Sequence, residues 1–139
     1  MSITAALYTR LADDDVLAGM LATYGPDNAP AIFTGATVPG DARFPWLHAP
    51  GAETDTPYEA KNEAGRSFTR RIRCVTDEAH TAVLVEAIAD RVHALLHRHP
   101  LTIAGVNNYV VDVDGPTVVA TDPDLQGRDV VARFLTTEE

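Results

Sequence analysis

The sequence predicts an α+β fold: an antiparallel, in part mixed, β-sheet with one long helix packed on a face, two short N-terminal helices and a projecting arm. Three observations carry this. An amphipathic stretch lies between Thr76 and Pro100, an arginine-rich strand-like run precedes it at 68–75, and three β-like segments follow it. In the amphipathic stretch Leu84, Val85, Ile88, Val92, Leu95 and Leu96 recur at steps of three and four, which gathers them into one stripe. Glu86, Asp90, Arg91 and His97 fall mostly outside it. Such a stripe requires a sheet beneath it. One helix shields one sheet face, so apolar side chains on the other face need cover from elsewhere, such as another copy of the chain.

The bulk numbers bound the reading. A chain of 139 residues with 45% hydrophobic content fits one domain over 1–139 and buries a sufficient core without a disulfide or metal. The formal charge of −9 repels nucleic-acid backbones and anionic membranes. Cys74 is the only cysteine, which excludes a disulfide framework, suits a reducing cytoplasm and predicts a buried small hydrophobe. Apolar runs fall far short of the roughly 20 residues that span a bilayer, and the first residues carry no basic signal-peptide start.

Each element follows in order. Ile3, Leu7, Tyr8 and Leu11 make one helical face. Asp13, Asp14 and Asp15 then place carboxylates at the start of a second helix, 16–23, where they cap free N–H groups. Gly25 and Pro26 are expected to stop that helix. Residues 31–34 and 43–48 read as short strands separated by a turn at 38–41, and Pro45, without an N–H, predicts an edge strand or bulge for the second. From 49 to 65 the chain is polar and turn-rich, too long for an ordinary connection, and is expected to be a projecting arm or flap.

In 68–75 alternation separates Phe68, Arg70, Ile72 and Cys74 from Thr69, Arg71, Arg73 and Val75. Arg66, Arg70, Arg71 and Arg73 concentrate positive charge in an acidic chain, which predicts contact with carboxylates within the domain or across a subunit boundary; a solvated strand face is the alternative. Thr76 as N-cap, with Asp77 and Glu78 behind it and His97, Arg98 and His99 before Pro100, predicts a helix over 77–99. Three β segments close the chain, at 103–113, 117–121 and 129–135, with turns at Asp114-Gly115-Pro116 and at 122–127.

No constellation for catalysis or cofactor binding stands out. His93 and His97 share a helix side with Asp90, which is compatible with a metal, yet Ala94 occupies the place of the glutamate base of helical zinc motifs. Favourable charge at a helix C-terminus explains these histidines more simply. Asp112, Asp114 and Gly115 lack the remaining ligands of a calcium loop. Ser2 and Ser67, the only serines, lie in no nucleophile elbow, and no glycine loop cradles a phosphate. Arginines beside Cys74 could lower its pKa, but no paired base is in view, and a buried small hydrophobe is the expected role. The expectation is therefore no enzyme, no cofactor and no metal.

The opening run from Ala5 through Leu7, Tyr8, Arg10 and Leu11 to Asp13, the small second helix, the Ile32-Phe33 strand and the Phe44-Pro45-Trp46-Leu47 strand resemble the tail-terminator (tail-completion) family of tailed bacteriophages and gene-transfer particles. The strand from Arg71 to Thr76, the Ala-rich helix after it and the closing strand 130–135 resemble the rest of that family, so the likeness covers nearly the whole chain. It implies a structural virion protein of the tail or neck, assembled in the host cytoplasm. It further implies a ring, typically of six copies, that ends the tail tube and joins it to the head-side connector. The implied partners are further copies of the chain, the major tail tube protein and the connector or stopper, with DNA passing through the lumen unbound. Two departures stand out: a turn-rich insert at 35–41, and an end at Thr136-Thr137-Glu138-Glu139 without aromatic residues.

Contacts between subunits are expected to centre on the arm, at Glu53, Asp55, Tyr58, Glu59 and Lys61, and on Arg66, Arg70, Arg71 and Arg73. Replacing Arg71 and Arg73 by Glu should then disrupt assembly more than folding. Another neck component, a stopper or head-completion protein, is the nearest alternative, and a small ligand- or metal-binding domain using His93 and His97 is the one from another class.

Overall fold

A computed structural model describes residues 3–50, 52–60, 63–77, 81–101, 106–119 and 125–138. Its elements run α1 (Ile3–Ala12), α2 (Asp15–Met20), β1 (Thr23–Tyr24), β2 (Ala29–Pro30), β3 (Ile32–Phe33), β4 (Trp46–His48), β5 (Ala52–Ala60), β6 (Glu63–Asp77), α3 (Ala82–Leu96), β7 (Val106–Val119) and β8 (Leu125–Glu138). This is the expected α+β architecture. The main sheet has the order β3-β4-β6-β8-β7, and β5 joins it by pairing with β6. It is mixed, because β3 and β4 run parallel while the other pairs are antiparallel. A two-stranded ribbon of β1 and β2 stands apart.

The alternation in β6 does the sorting that the sequence predicts. Phe68, Arg70, Ile72, Cys74 and Thr76 are buried, and opposite them on β8 Val130, Ala132, Phe134 and Thr136 are buried too. On this face lie Val85, Ile88, Ala89, Val92 and Leu96 of α3, with Ile3, Leu7 and Leu11 of α1 and Leu17 of α2 in the same core. Of the intervening residues, Thr69, Arg71, Arg73, Val131, Arg133 and Leu135 remain half-buried or exposed, while Val75 and Asp129 are buried. One sheet face thus carries the helices and the other is open, as the single amphipathic stripe requires.

Several local expectations differ from the structure. The helix begins after Thr81, not Thr76: the β6–β8 ladder runs on to Asp77 opposite Leu125, so Thr76 is a fully buried strand residue. The short second helix ends at Met20, and Gly25 and Asn28, both at positive φ, instead turn β1 into β2. Pro45 lies just outside β4, so β4 is an inner strand between β3 and β6. Asp114-Gly115-Pro116 is a bulge, with β7 pairing β8 both before and after it. A side chain at Gly115, which has φ +101°, would stand 2.6 Å from the Asp129 carbonyl oxygen, so the bulge requires glycine. Gly127 lies within β8, not in a turn. The arm is a β-hairpin, with β5 antiparallel to β6 from Ala52 opposite Arg70 to Ala60 opposite Glu63.

Candidate assembly surface

Both β4 and β5 pair with the same side of β6, β4 at 73–75 and β5 at 63–70, so Ala49 and Pro50 interrupt what is otherwise one long partner strand. The parallel strand β3 covers β4. Among the described residues β5 pairs with β6 alone, and β7, at the far side of the sheet, pairs with β8 alone. The sheet therefore has an open edge at each side, with unpaired backbone donors and acceptors. Along the strand direction it also outgrows its helix. With 14 residues each, β7 and β8 extend about 46 Å, while the 15 residues of α3 reach about 22 Å.

The arginine run divides between the two faces. Arg70 is only 6% exposed, with its guanidinium carbon 5.2 Å from the Phe68 ring centroid in a cation–π contact. Arg73, on the open face, binds Asp129 in a fork, Nε to Oδ1 at 3.0 Å and Nη2 to Oδ2 at 3.2 Å, and Arg71 adds Nη1 to Oδ2 at 3.4 Å. Hydrogen bonding to Asp129 raises the Arg73 pKa. The carboxylate that these arginines bind lies within the chain, in β8, and a Glu at 73 would face Asp129, so that substitution disturbs the sheet as well as any interface. Arg66 is exposed, opposite Thr136 of β8 and Pro57 of β5, and Thr136 Oγ1 donates to its carbonyl at 3.3 Å. Of the arm residues, Asp55, Tyr58 and Glu59 pair in register with Phe68, Gly65 and Ala64, and Glu53 sits at the register shift between Ala52 and Thr54. Lys61 lies outside the described residues.

Three long-range contacts that the sequence reading missed, Asp14–Arg91, Arg10 with the carbonyls at and just past the end of α3, and Arg128–Glu86, tie α3 to the other helices and to the sheet. Asp14 caps α2 by accepting from Leu17 N–H at 2.8 Å, and its two oxygens also take the Arg91 fork of α3 at 2.7 and 2.9 Å. The Arg91 bonds, with the Leu17 N–H, lower its pKa against the opposing effect of desolvation. Arg10 of α1 donates to the carbonyls of Leu95, His99 and Pro100 at the end of α3. Arg128 of β8 reaches Glu86 of α3 at 3.3 Å. Asp129, a lone acid opening the apolar run Asp129-Val130-Val131-Ala132, was the one signal in sequence that pointed to the arginine run's partner.

The other candidates form no reactive centre. Cys74 is the buried small hydrophobe that the sequence predicts, and burial, with Asp129 adding to it, pushes its thiol pKa up. His93 and His97 stack with ring centroids 5.1 Å apart, and among the described residues no group of three or more metal-binding side chains forms. No helix among the described residues is long and apolar enough to cross a membrane.

No curated protein matches. Among solved structures, a chain of the virion of a native gene transfer agent particle superposes with a TM-score of 0.72 at 22% identity, covering 98% of this chain and 95% of its own. A second solved structure superposes with a TM-score of 0.60 at 15% identity, covering 99% of this chain and 93% of its own. These likenesses establish the fold, and the family model for tail completion protein gp17 matches residues 5–139. The chain therefore belongs to the tail completion protein gp17 family and is a structural protein of the phage-type tail.

Proposed function

We propose that this chain forms a ring, of six copies, that caps the last layer of a tail tube and joins it to the head-side connector. The supporting observation is the sheet that outgrows its helix and keeps an open edge at each side, β5 and β7. Two different edges on opposite sides make a head-to-tail contact, and head-to-tail contacts generate rings when the rotation closes. The family description and the gene transfer agent likeness agree with a place in the virion's tail or neck. In this reading residues 1–139 act as one domain. The β5–β6 hairpin, with Glu53, Asp55, Tyr58, Glu59 and Lys61, reaches the neighbouring copy together with the open-face arginines. The net charge of −9 lets DNA pass through the lumen without adhering. The role requires no catalysis.

The test is complementation of particles that lack this chain. Without it, tails should be of irregular length and unattached to heads. The full chain should restore them, while a chain with 55–64 replaced by a two-residue turn should fold and fail to restore. Normal joined tails in particles without the chain would refute the reading.

A further inference from the structure

We propose that a basic hollow at the end of α3 is a second contact surface, one that receives carboxylates from the adjacent copy of this chain; this rests on the ring reading above. Arg10, Arg91, Arg98 and His99 surround an open concavity of about 560 Å³ floored by Leu95 and Pro100. Two of its cations are fixed in place: Arg10 by three backbone carbonyls and Arg91 by Asp14. The third, Arg98, is exposed, and no ion pair or hydrogen bond engages its side chain among the described residues.

The backbone makes Arg98 informative. It follows the helix cap His97 at φ +59°, a left-handed conformation in which glycine or asparagine costs less than arginine. Arginine near a helix end often helps by binding the last carbonyls, but here Arg10 already binds that of Leu95, together with those of His99 and Pro100 just past the helix. For the helix alone, glycine at 98 would serve better. The side chain is therefore accounted for by something outside the fold, and a strained residue at a surface hollow is a sign of such a contact.

Charge selects the occupant. The chain's −9 opposes a dense polyanion such as DNA; it repels a second copy too, but salt screens that repulsion beyond about 8–10 Å, and a second copy brings single carboxylates that the hollow can pair at contact. Exposed Asp27, between β1 and β2, and Asp114, on the open strand β7, lie on elements that do not line the hollow. Exposed Asp13, Asp15 and Asp90 stand beside the hollow on its own flank, so the carboxylates that a head-to-tail contact would bring to it are the distant ones, such as Asp27 and Asp114.

Arg98→Gly separates this contact from a structural role, because the two effects have opposite signs. Relief of the left-handed strain should raise the thermal midpoint of the dissociated protein by about 1–4 °C. Loss of the cation should weaken self-association, in solution or on tail tubes purified from particles lacking the chain, by about tenfold or more. Arg98→Glu should weaken it further, and raising salt should narrow the gap between wild type and Arg98→Gly. Wild-type association in both variants would overturn the proposal while leaving the tail-completion reading intact. So would variants that associate normally but lose retention on a DNA column. Wild-type chain that decorates tubes as isolated copies would overturn this contact and the ring together, and chain that never binds tubes would overturn the function as well.

Discussion

Removing the Arg73 fork from Asp129 should cost more than removing the carboxylate it holds. The Asp129 side chain is 8% exposed, whereas those of Arg73 and Arg71 are 37% and 43% exposed. In Arg73→Met the aliphatic stem stays, but a buried carboxylate keeps only the longer Arg71 contact at 3.4 Å. Charge-assisted bonds contribute about 1.5–3 kcal/mol each in net terms, and the exposure of Arg73 discounts the pair, which gives a loss of about 2 kcal/mol. For a chain of this size that is a fall of about 6–8 °C in the unfolding midpoint. In Asp129→Asn the arginines can turn to water, and the loss should be about 1 kcal/mol. Urea or thermal unfolding of the two single variants and the double variant yields a coupling of about 1 kcal/mol. Additivity within about 0.3 kcal/mol would refute the argument, since it would mean that the fork contributes nothing beyond the two residues taken separately.

Three further predictions follow from the same geometry. The folded pKa of Asp14 lies below its unfolded value, so its contribution is fully present above about pH 4 and is lost as pH falls through the folded value. Wild type should therefore lose stability more steeply than Asp14→Asn in melts between pH 5 and pH 2, and parallel acid limbs would contradict this. Gly115→Ala should cost about 1–3 kcal/mol, because alanine meets both the φ of +101° and the Asp129 carbonyl at 2.6 Å; an unchanged urea midpoint would exclude that strain. Cys74, fully buried with its thiol pKa raised, should resist aromatic disulfide reagents in the native protein and react at the rate of unfolding, so rapid labelling at pH 8 in the absence of denaturant would show the thiol to be accessible.

What the sequence disclosed was local and periodic. The α3 stripe and the two faces of β6 follow from spacings of three, four and two, and burial enforces both. Asp14 was legible as a cap because its partner, Leu17, lies three residues away. Boundaries were less legible. Thr76 has the chemistry of an N-cap, but pairing with β8 holds it in the sheet. Gly115 and Pro116 have the chemistry of a turn, yet the ladder resumes at Thr117 opposite Asp129. The arm carries no apolar alternation because β5 is held by backbone pairing to β6, which leaves no mark on side-chain pattern. Contacts such as Arg73 with Asp129, Arg91 with Asp14 and Arg10 with Pro100 join residues 56, 77 and 90 apart, and only the folded topology brings them together.

In the proposed ring, the division of the arginine run narrows where copies would meet. Arg70 is enclosed against Phe68, and Arg73 and Arg71 are engaged with Asp129, so these three side chains are already committed within the sheet. From Arg128, level with Glu86 at 3.3 Å, β8 continues for about 33 Å to Glu138, while α3 continues for only about 15 Å to Leu96. The far half of the sheet thus extends past the helix, and it carries exposed Arg66, the hairpin and the start of β7. An edge-to-edge contact there supplies backbone hydrogen bonds that any copy can offer, but it specifies register weakly. Charged groups fix register and exclude wrong partners. A basic hollow at Arg98 that accepts a carboxylate only when the two copies are correctly aligned would supply that missing specificity, and this is why loss of Arg98 should impair assembly although it relaxes the monomer.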